Sequence, residues 1–362
     1  MKRLVRRIIG AMLLAVVVYG AIVLWRGVGS VTRTFHDYAW WTFAAACGLA
    51  STNYLLRFLK WEYYLGLLEI RGVPKGESLL TFLSGFVLTV TPGKVGEVFK
   101  SLILSQTRGV PVARSAPIVV AERVTDLIGV IFLITVGSAY FPGGAIWASA
   151  GAAVVVGLLV FVASPALSDR FLRFLPRLPG GLGLAGSRVG PKLQEALGSL
   201  RALTTPARLV WPTLLSIGAW SLEGIGLWVI LGGFGSQPPL PLTGFFYATA
   251  TLAGALIPVP GGLGVTEELL EQQLAHLGHV PAGPATAAML LIRFATLWYA
   301  VAIGFAALAI LRALHPGLRA DPDEGSDRGL PADPRVDRTA TDPSTDPTEP
   351  LRQKSSHAPD LR

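Results

Sequence analysis

The sequence predicts an all-α polytopic membrane protein. About six full transmembrane helices and two re-entrant broken hairpins are expected, arranged as an inverted-topology repeat. Three observations predict this. Of the 362 residues, 51% are hydrophobic and 15% charged, and the mean hydropathy of +0.53 is too high for an ordinary soluble chain of this length. Several nearly uncharged runs approach the ~20 residues that a helix needs to cross a ~30 Å hydrocarbon core. Finally, the apolar sequence is interrupted twice by almost the same phrase: Thr91-Pro92-Gly93-Lys94-Val95-Gly96-Glu97, and later Pro260-Gly261-Gly262-Leu263-Gly264-Val265-Thr266-Glu267. Proline removes a backbone donor and glycine loosens a helix, so neither segment can be one straight span. Paired interruptions of this kind in two halves of a membrane chain point to a binding site at the interface of the halves.

Taken in order, Lys2, Arg3, Arg6 and Arg7 precede an apolar run over 8–25. It shows no small-x-small cleavage site, so a retained first helix is favoured over a signal peptide, with the N-terminus in the cytoplasm. The first repeat covers about 38–163. It opens with a span over 38–59 that carries Trp40 and Trp41 near one end and Arg57 and Lys60 at the other. Arg71 and Lys75 follow, then the broken segment 79–106, then Arg108 and Arg114. Positive charge on both sides predicts a hairpin that enters from the cytoplasm and returns there. Such backbone is tolerated at depth only where protein or a polar cavity satisfies it. Spans over 117–139 and 145–163 are joined by the uncharged turn 140–144.

A basic segment, 164–209, reads as a cytoplasmic interfacial linker, with Phe171, Leu172, Phe174 and Leu175 among arginines and a second stripe at Leu193, Leu197 and Leu200. The second repeat covers about 210–312: a span over 210–231, an uncharged loop over 232–242, the broken segment 243–276 and a last span over 285–312. No Lys or Arg flanks this second hairpin, which is therefore expected to enter from outside. Residues 316–362 hold eight prolines and no aromatic residue, so 313–362 is read as a disordered cytoplasmic tail.

Charge is unevenly distributed. From residue 313 onward there are 7 Lys+Arg and 10 Asp+Glu, leaving 24 and 13 in the first 312 and a net charge of +11 there. Anionic lipid headgroups beside the spans account for this better than nucleic acid does. The single cysteine, Cys47, excludes an intramolecular disulfide.

Ionisable residues inside apolar spans are costly, at least ~2.5–3.5 kcal/mol each on insertion scales, and usually face a cavity or one another. Lys94, Glu97, Glu122, Arg123, Asp126, Glu223, Glu267 and Arg293 are of this kind. Glu122 and Asp126 share a helix face, with Arg123 beside them. Arg123 lies 31 residues after Pro92, and Arg293 lies 33 after Pro260. Each half thus offers breaks at Pro92, Gly93 and Gly96 or at Pro260, Gly261, Gly262 and Gly264, a glutamate just beyond, and an arginine in the next helix. The basic members and the helix N-termini after each break favour an anionic group such as a phosphodiester. The alternative is a set of internal ion pairs that lock the hairpins.

Other motifs are weak. Gly181-x-Gly183-x-x-Gly186 has no preceding strand, and His276-x-x-His279 has no third ligand nearby, so neither a dinucleotide nor a metal is expected. No catalytic residue, metal or cofactor is assigned.

On Thr91–Glu97, on Ala121-Glu122-Arg123-Val124-Thr125-Asp126, on Pro258-Val259-Pro260-Gly261-Gly262-Leu263-Gly264 with Glu267, and on Leu291-Ile292-Arg293, the chain resembles the lysylphosphatidylglycerol synthase transmembrane-region family, also called the flippase-like domain family. These motifs cover roughly residues 5–312. The resemblance implies a membrane domain that moves lipids, typically aminoacylated phosphatidylglycerol, between leaflets of a plasma or inner membrane. It also implies inverted hairpins. The full-length synthases carry a soluble aminoacyl-transferase domain after the membrane region, whereas this sequence continues into a Pro/Asp-rich tail. A separate synthase or transferase chain is therefore an expected partner, and other lipids or polyprenyl-linked sugars enter as cargo. Two rival readings stay open. One is a membrane-embedded enzyme on lipid-linked substrates, with Glu122 and Asp126 as acid and base, and the other is a structural partner of a synthase.

Overall fold

The computed structural model describes residues 34–90, 98–164, 205–257 and 259–318, with positions 17, 170 and 203. The expected first helix, both stripes of the basic linker, the first break at 91–97 and the tail beyond 318 lie outside the described residues. Every regular element among the described residues is helical.

Helix α1 spans Trp41–Leu67, 27 residues or about 40 Å at 1.5 Å per residue. It does not end near Leu59, as the charges at Arg57 and Lys60 suggested. Lys60 is fully buried and meets acceptors on two other helices, so the helix carries both charges through its interior for two further turns. They are not loop markers of topology.

The first broken segment begins with α2, Lys75–Ser84, which tightens into a 3₁₀ turn over Gly85–Leu88. It resumes after the undescribed stretch as α3, Val98–Arg108. Helix α4 spans Val112–Ser138, and α5 spans Gly144–Ala163. Outward-facing Ile146, Val154, Val156 and Val160 on α5 form an apolar surface of the kind that faces lipid.

Helix α6, Pro206–Gly233, starts with proline in its first turn, where no donor is lost, and runs 28 residues. Helix α7 spans Leu240–Leu256, and a short 3₁₀ turn at Pro260–Gly262 leads to α8, Val265–His276. The last expected span is one continuous helical run, Ala282–Leu314, with a π turn inside it. Helix α9, Ala282–Arg293, passes through a π turn at Phe294–Trp298 into α10, Tyr299–Leu314. This run and Ala207–Gly233 are long and apolar enough to cross a membrane by composition alone. Helices α1 and α4 are equally long but carry internal charges.

Elements from the two halves of the sequence interleave. Helix α1 packs along α6, α4 lies against both α6 and α7, and α10 covers α2 and its 3₁₀ turn. Close approach of backbones makes this possible. A Cβ at Gly224 would sit 3.0 Å from Gly244 Cα, and one at Gly304 would sit 2.7 Å from Val87 N. Small residues at crossings are how membrane helices gain packing when no hydrophobic effect draws them together. One apolar cluster joins Leu227, Ile230, Phe245, Phe246, Leu270 and Ile292. Another, around Trp61, Tyr64, Phe82, Leu104 and Ile118, fastens the first broken segment to α1 and α4.

Candidate functional site

A cavity of about 310 Å³ lies where the interleaved halves meet. Tyr54, Arg57, Phe86 and Arg123 line it from the first half, and Trp220, Glu223, Tyr247, Thr251, Arg293 and Thr296 from the second. Gly261 and Gly262 close one side with backbone.

The glycine-rich break folds as its sequence requires. Gly261, Gly262 and Gly264 take φ of +62°, +68° and +86°, a region that side chains with a Cβ rarely enter. Helix α8 then starts with an orphaned N–H at Gly264, which donates to Glu267 Oε2 at 2.7 Å. Arg293 Nε donates to the other carboxylate oxygen at 2.6 Å, and its terminal nitrogen donates to Gly261 O at 2.7 Å. One arginine thus stitches both ends of the break to α9. Glu267 is fully buried by these contacts. The π turn starts just past Arg293, and the Thr296 carbonyl there accepts from Tyr54 OH at 3.2 Å.

A second ionic group stands behind the opposite wall. Asp126 accepts from Lys60 Nζ at 2.5 Å and from Ser216 Oγ at 3.0 Å, and its other oxygen lies 3.0 Å from Arg123 and 3.3 Å from Arg57. Three cations and a hydroxyl surround this one buried carboxylate, as its burial requires, since an unpaired buried charge would be very costly. Both arginines of this group reach the cavity wall, whereas Asp126 does not.

Glu223 is the carboxylate on the wall itself among the described residues. Asn53 Nδ2 donates to one of its oxygens at 2.9 Å, and the Tyr247 hydroxyl donates to the other. Asn53 also donates to Ala219 O at 2.7 Å, which fixes α1 against α6. A third ionic pair is set apart from the cavity. Lys100 Nζ donates to Glu122 Oε2 at 2.6 Å and sits 4.7 and 5.2 Å from the ring centres of Trp61 and Phe82.

Among the residues singled out from sequence, Arg123, Glu223, Arg293, Gly261 and Gly262 line the cavity. Glu122, Asp126, Glu267, Pro260 and Gly264 stand outside its lining, and Glu122 and Asp126, though one turn apart, face different cations. Lys94, Glu97, Pro92, Gly93 and Gly96 lie outside the described residues. His276 hydrogen-bonds Gln272 at 2.9 Å, as a helix-surface histidine does.

Sequence reasoning missed Asn53, Arg57 and Lys60 as site residues, along with Tyr247 and Lys100. A signal for the first three was present. They recur at i, i+4 and i+7 within an apolar run, so they form a polar stripe on one helix face.

The sequence model described as the lysylphosphatidylglycerol synthase TM region matches residues 12–304. A UPF0104 membrane protein of Methanothermobacter thermautotrophicus is 22% identical over 306 residues, which is 80% of this chain and 90% of that protein. Another UPF0104 membrane protein of the same organism is 30% identical over 122 residues, 33% of this chain and 36% of that protein.

Proposed function

The chain belongs to the lysylphosphatidylglycerol synthase TM-region family, membrane proteins connected with lipid metabolism, and from that premise we propose that it moves an amphiphilic lipid between leaflets. The observation that carries the reading is the cavity: three arginines, a carboxylate and four aromatic rings, contributed by both halves, around about 310 Å³. That volume is at the lower end for ligand sites, so it accommodates a headgroup while the acyl chains stay in the bilayer.

In this mechanism Arg57, Arg123 and Arg293 bind the headgroup phosphate, for which the guanidinium fork is suited. Glu223, held by Asn53 and Tyr247, takes a hydrogen-bond donor elsewhere on the headgroup, an ammonium or a hydroxyl. Trp220 and Tyr54 cover its apolar faces. Glu267 serves the site indirectly by holding Arg293. The two broken segments act as hairpins that enter from opposite sides, so rocking one half against the other opens the cavity alternately to each leaflet. The basic flanks of the first hairpin support a topology with both termini in the cytoplasm of a plasma or inner membrane.

The test is leaflet exchange of fluorescent lipids in vesicles that contain the purified protein. Phosphatidylglycerol, its lysyl ester and a polyprenyl phosphate are compared. Wild type is expected to accelerate at least one of them. Arg57→Gln and Arg123→Gln, shown to be folded, are expected to lower that rate at least tenfold. No acceleration with any of the three lipids would sink the proposal.

A further inference from the structure

One face of α7 changes character along its length. Tyr247, Thr251 and Ala255 follow at i, i+4 and i+8, and all three line the cavity. At the buried end, Tyr247 donates to the Glu223 carboxylate. One turn on, the Thr251 hydroxyl has no hydrogen-bond partner among the described residues. A further turn on, Ala255 offers only a methyl group, and Ile257 continues the lining after it. The stripe runs from ionic to apolar, the order of groups in an amphiphile read from headgroup to chain.

The apolar end is also the open end. Among the lining residues only Ala255 and Ile257 are exposed, Ile257 by 44%, whereas the others are buried or half-buried. Helix α7 has 17 residues, about 25 Å, against the ~30 Å of a hydrocarbon core. Residues 234–239 join it to the end of α6, a helix long enough to cross a membrane, so in a bilayer α7 ends within the core. A backbone that leaves a helix at such depth must not strand its polar groups. The phrase Ile257-Pro258-Val259-Pro260 meets that condition. Neither proline has an N–H, Ile257 N donates to Ala253 O at 3.3 Å, and Val259 N donates to Ile257 O at 2.7 Å. Gly254 fastens the other side of the same turn to the break: a Cβ there would sit 3.2 Å from Gly262 Cα and collide with Thr266 Oγ1.

We propose that Ala255 and Ile257 form a lateral portal through which the acyl chain of a bound phospholipid leaves the cavity for the bilayer, an inference that rests on the transport reading above. The headgroup lies among the arginines and Glu223, and the chain passes Thr251 and leaves beside Ile257. Arg293 is close to this exit, because it holds the carbonyl of Gly261, four residues beyond Ile257. A water-soluble anion of the same charge gains nothing from an apolar exit, so the portal selects for lipid. Two exposed lining residues are also far short of the ~20–30 per side that a stable protein interface uses, which argues for a lipid chain over a second copy of the protein.

Two measurements decide it. Purified protein is placed in phosphatidylcholine vesicles with a trace of phosphatidylglycerol that carries a diazirine on one acyl chain, and the adducts are mapped after irradiation. Label at Ala255 and Ile257 is expected to fall several-fold as unlabelled phosphatidylglycerol replaces phosphatidylcholine. Label at the outward-facing Val154 and Val156 of α5 is expected to stay constant, since bulk lipid cannot be saturated. In leaflet exchange of fluorescent phosphatidylglycerol, Ile257→Trp fills the portal and is expected to slow the rate at least tenfold. Leu256→Trp, at a residue 77% exposed but outside the lining, is expected to keep the wild-type rate. Thermal unfolding checks both variants, and Ala255→Phe replaces Ile257→Trp if that variant is unstable. Unsaturable label at Ala255 and Ile257, no label there because another protein surface covers them, or a filled portal that exchanges as fast as Leu256→Trp overturns the proposal and leaves transport intact. If wild type exchanges no lipid, the transport reading fails, and the labelling alone decides whether a lipid chain occupies the portal.

Discussion

Arg293 offers a severe test of how the glycine-rich break is held. Changing it to methionine removes a 2.6 Å contact to Glu267 and a 2.7 Å contact to Gly261 O at once. Both partners stay behind: Glu267 is fully buried, and the backbone at Gly261 is fixed at φ +62°. Removing one member of a buried pair costs about 3–5 kcal/mol, chiefly because the survivor is stranded. Arg123→Met makes a sharp comparison. Its side chain is 31% exposed, and Asp126 would retain Lys60 and Arg57. A partly solvated charge among several is worth about 1 kcal/mol or less.

The assay is reversible unfolding in detergent, run on both single variants and on Arg293→Met combined with Glu267→Leu. The expected order is a large loss for Arg293→Met, a small one for Arg123→Met, and recovery of much of the loss in the double variant. The double variant removes the stranded carboxylate along with its partner, and replacing both members of a buried pair by apolar groups is often close to neutral. Equal stability of the two single variants would refute the account of the break. So would a double variant as unstable as Arg293→Met.

Two further outcomes follow from the same geometry. Gly304→Ala places a Cβ 2.7 Å from Val87 N and 3.0 Å from Phe86 C, so thermal unfolding should show a loss of about 1–3 kcal/mol, whereas Gly48→Ala, with nothing within 4 Å, should be neutral or stabilising. At the outer ends of the first broken segment, Glu77 accepts two bonds from Arg108 and lies 3.3 Å from His315, and the Arg108 hydrogen bonds hold its carboxyl below the ordinary range. A lowered folded value gives stability that is complete above the unfolded value and is lost as pH falls through the folded one. Wild type should therefore lose more stability than Glu77→Gln when titrated from about pH 5 toward pH 3, and parallel curves would contradict this.

Periodicity and the two Pro-Gly phrases were legible in the sequence because each states a local constraint. The turn at 260–264 needs positive φ at Gly261, Gly262 and Gly264, and sequence can express that need only as glycine. Helix α1 was misread for the opposite reason. Hydropathy treats a lysine as a boundary, because a lone ammonium in an apolar run is prohibitive. Whether Lys60 is alone depends on Asp126, 66 residues away, and on Ser216, 156 residues away. The same applies to Glu223, whose donors Asn53 and Tyr247 come from helices 170 residues before it and 24 after it. The apolar runs of α1 and α4 were legible at 38–59 and 117–139, but their internal charges keep them from passing as spans by length and composition alone, as Ala207–Gly233 and Ala282–Leu314 do. A charge inside such a helix is tolerated only when another helix supplies its partner. The polar stripe at 53, 57 and 60 should therefore be read against the one at 122, 123 and 126, as two halves of a single contact.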